Sequence, residues 1–189
     1  MNLSLVGAEN GNIAPRAAKA LQESIGLVQE LSRELRTISH LLHPPLLDEV
    51  GLASGLRSYL EGFTERSKIR VDFELQEDLG RLQQDLETAI FRIVQECLTN
   101  IHRHSESPVA RIRISRSDGQ VSLEVEDEGK GIPPEKRGAM DSGGTPGVGI
   151  RGMRERLRQL GGTLEINSNG RGTVVVARLP VLSTSLVAD

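Results

Sequence analysis

Tryptophan is absent, tyrosine occurs once and phenylalanine three times among 189 residues. Proteins that hold single-stranded nucleic acid stack its bases on aromatic side chains along a basic groove. The basic groove has no source either: 23 Lys and Arg stand against 26 Asp and Glu, for a net charge of −3. A nucleic-acid partner is therefore not expected. One cysteine, Cys97, allows no intramolecular disulfide, which agrees with a reducing compartment. No apolar run approaches the roughly 20 residues of a membrane span, and no charged N-terminal segment leads into a long apolar one. The chain is expected to be soluble and cytoplasmic without membrane contact of its own, an anchor elsewhere in a longer protein being left open. With 37% hydrophobic and 26% charged residues it is globular, long enough for one well-cored domain and a smaller helical element.

What is present is ordered clearly along the chain. Residues 7–15, GAENGNIAP, read as a loop, and the preceding MNLSLV reads as the tail of a helix. From 17 to 43, Leu21, Ser24, Val28, Leu31, Leu35, Ile38 and Leu42 alternate steps of three and four, a heptad seam that must bury itself against another helix. Pro44 and Pro45 stop that helix. A shorter amphipathic helix is expected over 52–67, a strand over 69–75 and a strong helix over 83–104. That helix carries Leu86, Ile90, Ile93, Cys97 and Ile101 on one stripe. Strands 110–115 and 121–127 meet at Ser117-Asp118-Gly119; a Gly/Pro-rich stretch, 129–149, follows. A basic helix over 151–162 and a hairpin of 163–168 with 172–180 complete the chain. There is no internal repeat. Helices with mostly antiparallel strands predict an α+β two-layer sandwich with helices on one face of a mixed sheet. The expected division is 1–48 helical, 49–181 the sandwich, and 182–189 a tail.

The chemistry concentrates in four places. Glu96, Asn100 and Arg103 fall within about 60° of one another on a helical projection, beside the apolar stripe. A carboxylate and an amide oxygen suit Mg²⁺ and a guanidinium suits phosphate, although a solvated face with an i,i+7 ion pair is the ordinary use of such a row. DEGKGIPP (127–134) puts Asp127 at a strand end, where a carboxylate can accept from an exocyclic amine, and two glycines after it allow close approach of a flat ligand. GVGIRGM (147–153) sets three glycines before a helix, where free N–H groups attract phosphate. NGRGTVVV (169–176) places Thr173 just before the last strand.

Taken in this order, QECLTNIHRHS, DEGKGIP, GVGIRGMRER and GRGT resemble the N, G1 and G2 boxes and the closing G-x-G-T of the GHKL (Bergerat-fold) ATPase superfamily. GIRGMRERLRQLGG is similar to sensor histidine kinases of the nitrate/nitrite-sensor type, and LRTISHLLHPPLLDEVGL resembles the second helix of their dimerisation and phosphotransfer hairpin. The resemblance spans roughly residues 17–180. It implies ATP and Mg²⁺ as the bound groups, with Asn100 as the metal ligand and Glu96 as the base that polarises the attacking group. It implies that Arg103 and His104 meet the phosphates and that Asp127 reads the adenine amine. Gly129 belongs to the same box, Gly131 leaves room for the ring, Ile132 adjoins it, and Thr173 supports that end. Gly147, Gly149 and Gly152 are expected to flank a lid over 132–148 and to cradle phosphate. His102 is read as a surface residue.

The family's acceptor histidine lies in a motif resembling E-L-H-D on the first helix of the hairpin, and no such motif occurs here. His40 and His43 lie on the second helix; His43, directly before two prolines, suits a helix end rather than catalysis. The expectation is thus the catalytic region of a histidine kinase that starts after its own acceptor, working as a homodimer in full length with a response-regulator receiver domain as partner. Two other readings stay open: a non-catalytic nucleotide-binding interaction module, and an anti-sigma-type serine kinase sharing the ATP site.

Overall fold

A computed structural model describes residues 24–26, 28, 45–133 and 148–181. Contacts divide the chain between His43 and Pro44. Before that division residues 24–26 and 28 are helical. The rest of the expected heptad helix, with His40 and His43, lies outside the described residues, as do Gly147, most of the expected lid and the tail.

Pro45 opens helix α1 (Pro45–Ser67), at a position where a missing N–H leaves no helical bond unmade. The expected helix over 52–67 is therefore preceded by a further helical segment, 45–50. Gly51, at φ 76° and ψ 171°, kinks the junction between them, a conformation open to glycine. α1 ends at Lys68 in the left-handed region, whose N–H returns to the Thr64 carbonyl at 3.0 Å.

Strands β1 (Arg70–Leu75), β2 (Val109–Ser117), β3 (Gln120–Asp127), β4 (Thr163–Ser168) and β5 (Thr173–Pro180) form one sheet in the order β1-β2-β3-β5-β4. The β1–β2 pair is parallel and every other pair antiparallel. A parallel pair needs a long crossover, and helix α2 (Gln84–Asn100) supplies it. Alternation sorts the two faces. Ile112, Ile114, Leu123, Val125, Ala177 and Leu179 are buried on one. On the other, Arg113 donates to Glu74 at 2.9 Å and to Glu124 at 3.0 Å, a charged ladder across three strands.

α2 is buried on more than one side. Leu86, Ala89, Ile90, Ile93, Val94, Cys97 and Leu98 are buried, and Phe91 is buried as well, its ring centroid 5.5 Å from that of Tyr59 on α1. Glu87 is buried too, and its carboxylate accepts from Arg81 Nε and Leu82 N, both at 3.1 Å. Because hydrophobic contacts use up most of the helix surface, the row of Arg92, Glu96 and Asn100 is left half-buried. It runs toward helix α3 (Val148–Gln159), which packs beside α2.

Candidate functional site

The end of α2, the inner face of the sheet at the close of β3, and the start of α3 enclose a cavity of about 420 Å³. Its walls are apolar: Val125, Val175, Ile166, Ile150 and Met153. Of the residues singled out by sequence, Asn100, Arg103, His104, Asp127, Gly131, Ile132, Gly149 and Thr173 line it. Glu96, Gly129 and Gly152 do not, although the first two support residues that do.

The α-helix expected to reach residue 104 stops at Asn100 and continues as one π-helical turn, Ile101–Ser105. A π turn is wider than an α turn, so the 100° projection fails beyond Asn100. The looser winding brings Arg103, His104 and Ser105 to the cavity together. Ser105 closes the turn by donating to the Ile101 carbonyl at 2.9 Å and accepting the Ser107 N–H at 3.0 Å. The Ser105 carbonyl accepts the Lys130 N–H at 2.8 Å, which locks the loop after β3 to the turn. A Cβ on Gly129 would collide with that same carbonyl, so this glycine is required by backbone packing. His102 is exposed, its ring edge-on to Phe63 at 6.3 Å.

Asp127 sits at the closed end, 6% exposed. Burial raises its carboxyl above the ordinary 3.8, opposed by hydrogen bonds from the Gly129 N–H and from the Thr173 N–H and hydroxyl. The Gly129 bond is 2.8 Å long. Register explains the meeting: Asp127 pairs with Thr173 across β3–β5, and Thr173 with Ser168 across β5–β4. Three side chains thus form one row on the inner face.

At the other end Asn100 Nδ2 donates to Glu96 Oε1 over 3.4 Å, a long bond. With the amide nitrogen so engaged, the Asn100 oxygen is the atom that could ligate a cation. The Glu96 carboxylate lies directly against Gly149, where any Cβ would displace it. Among the described residues nothing lies within 4 Å of where a Cβ on Gly152 would sit, so none of them demands a glycine there. No ion pair joins Glu96 to Arg103 among the described residues, so the row is not a simple i,i+7 pair. Among the described residues no three His, Cys, Asp or Glu side chains gather as a metal cage. Mg²⁺ typically takes one or two protein oxygens and completes its shell with phosphate and water; Asn100 beside Glu96 fits that sparse donor set.

Besides Ser105, sequence reasoning missed three further contributors. Ser168 organises the closed end from β4, and only its strand register could have shown it. Lys130 lines the cavity and pairs with Glu106 at 2.6 Å. Cys97, read only as core, forms part of the wall with its sulfur 3.9 Å from that of Met153. Burial, with Glu96 and Asp127 nearby, pushes its thiol up to about 12, which keeps it an unreactive apolar group.

A five-stranded sheet with helices on one face and a cavity walled by the end of α2 is the fold of histidine kinase catalytic domains. The histidine kinase domain of the blue-light-activated kinase EL346 from Erythrobacter litoralis superposes with a TM-score of 0.62 at 22% identity, over 90% of this chain and 86% of that one. The family model for histidine kinase-, DNA gyrase B-, and HSP90-like ATPases matches residues 85–183. This chain belongs to that family of ATPases. Its relatives include the sensor histidine kinase MctS of Rhizobium johnstonii, 29% identical over 94% of this chain and 38% of the relative. The oxygen sensor histidine kinase NreB of Staphylococcus carnosus is 32% identical over 82% of this chain and 44% of its own. The chain thus spans about two fifths of the length of these relatives. No helix among the described residues is long and apolar enough to cross a membrane.

Proposed function

We propose that this chain is the ATP-binding catalytic region of a two-component sensor histidine kinase. It transfers the γ-phosphoryl group of ATP to a histidine nitrogen for relay to the aspartate of a response-regulator receiver domain. In that step the bond from the γ-phosphorus to the bridging oxygen breaks, a phosphorus–nitrogen bond forms, and ADP departs. The observation that carries the reading is the make-up of the cavity lining: one buried carboxylate, apolar walls, and Asn100, Arg103 and His104, with Glu96 beside Asn100. That set of surfaces suits an exocyclic amine, a flat ring and a triphosphate.

On this reading Asp127 accepts from the adenine amine, while Gly131 and Ile132 border the ring and Thr173 holds the carboxylate. Arg103 and His104 meet the phosphates, with Gly149 giving the backbone close access. Asn100 holds Mg²⁺, which neutralises phosphate charge when bound. Glu96 accepts the N–H of the acceptor imidazole and sharpens the lone pair of its other nitrogen. Most of the acceleration then comes from positioning and charge. This region works in the cytoplasm, and the full-length protein is a homodimer.

Calorimetry with Mg-ATP tests the site: Asp127→Asn and Asn100→Ala are each expected to weaken binding strongly, and unchanged affinity in both would sink the reading. Transfer of labelled phosphate to a supplied histidine-bearing acceptor domain tests the activity. Binding without transfer would move the conclusion to a non-catalytic nucleotide-binding module.

A further inference from the structure

Ser168 occupies the last position of β4, beyond every glycine-rich segment, yet its hydroxyl joins three parts of the closed end. It accepts the Ile132 N–H at 2.8 Å and donates to the Gly172 carbonyl at 2.9 Å. Thr173 Oγ1 lies 3.4 Å away. A hydroxyl has one proton and two lone pairs, and Thr173 spends its proton best on the charged Asp127 carboxylate. Ser168 thus bridges two backbone groups, one from the loop after β3 and one from the turn before β5.

Both bridged segments bear on Asp127. Gly172, at φ 138°, packs so closely that a Cβ there would collide with the Asp127 carbonyl. Gly131, at φ 70°, would place a Cβ 2.6 Å from Ser168 Oγ and 3.0 Å from the Gly172 carbonyl. Loop and turn thus meet through the serine oxygen with no room for a side chain between them. Without that oxygen the half-buried Ile132 N–H and the buried Gly172 carbonyl lose this partner together, a cost that favours rearrangement of loop and turn.

We propose that Ser168 is a positioning residue for base recognition: by tying Ile132 to Gly172 it holds the Gly131 wall and the Asp127 carboxylate in one register, and so sets the preference for an amine-bearing purine. The proposal rests on the reading of the cavity as an ATP site.

The test compares dissociation constants for ATP and ITP, which carries a carbonyl oxygen where ATP carries the amine, in the wild-type chain, Ser168→Ala and Ser168→Cys. Thermal unfolding without nucleotide is followed in parallel. The wild type is expected to favour ATP. Ser168→Ala is expected to lose at least about tenfold of that preference, mostly through weaker ATP binding, with ITP affinity changed less than about twofold. Ser168→Cys keeps the volume but weakens both hydrogen bonds and is expected to fall between; it carries the test if the alanine variant does not fold. An unchanged ratio, or equal losses for both nucleotides with a lowered melting temperature, would overturn the positioning role while leaving the ATP site standing. Failure of the wild type to bind either nucleotide would overturn the ATP reading and this proposal with it.

Discussion

The two ends of the cavity are built differently. At the closed end Asp127, Thr173 and Ser168 share a network of short hydrogen bonds with backbone groups, and Gly129, Gly131 and Gly172 pack against neighbours with no space for a side chain. At the open end Asn100 and Glu96 share one 3.4 Å bond, Arg103 and His104 are exposed, and Gly152 nearby on α3 meets no neighbour among the described residues. The closed end is pre-organised, so little ordering remains to be done when a base arrives. The open end holds its charged and amide groups only loosely among the described residues, by that one long bond, which suits a ligand that brings its own charge and metal. Rigid recognition and open chemistry are thus divided between the strand ends and the helix end.

Substitutions can break or sharpen this contrast. The largest effect is expected from Gly129→Ala: its methyl meets the Ser105 backbone, so stability should fall by about 3 kcal/mol, read by denaturant unfolding. Asp127→Asn should separate binding from stability, lowering ATP affinity by about 10- to 100-fold, the range of a hydrogen bond to a charged group. The nucleotide-free domain should become more stable near neutral pH, because burial disfavours the charged form. The sign follows from the raised pKa: the wild-type carboxyl favours the fold most below its unfolded pKa and loses that advantage as pH rises through the folded one. The gap between variant and wild type should therefore widen from acid to neutral pH.

Asn100→Ala should cost about tenfold in Mg-ATP affinity while moving unfolding by less than about 0.5 kcal/mol, since it removes one long bond. Gly152→Ala should gain up to about 1 kcal/mol of stability from helix propensity; a loss instead would mean that the open end is packed after all. The smallest signal is Cys97, expected to resist thiol reagents at pH 8 in the folded chain and to react once it is denatured.

Much of the frame is legible in the sequence. The hydrophobic stripe on α2, the turn at Asp118-Gly119 and the last hairpin were readable because period and turn chemistry are local signals. The order of the four glycine- and asparagine-bearing boxes pointed to the family. The Gly51 kink was not legible, because a glycine within an apolar run carries no sign of its φ. Nor was the π turn, since IHRHS continues the same helical pattern and only closure by the Ser105 hydroxyl and the Lys130 N–H reveals the wider winding. Gly129 and Gly149 were read as making way for a ligand; in the fold they also make way for Ser105 and Glu96.

Local sequence thus determined the elements, the polar row on α2 and the acidic strand end at Asp127, because each depends on neighbours within a few residues. Tertiary structure decided what those residues share. Strand register set Ser168, Thr173 and Asp127 side by side from three strands, and the packing of α3 on α2 laid Gly149 against Glu96. Such meetings join residues up to tens of positions apart, and no periodicity encodes them; they follow from which faces the core buries and how closely two backbones approach.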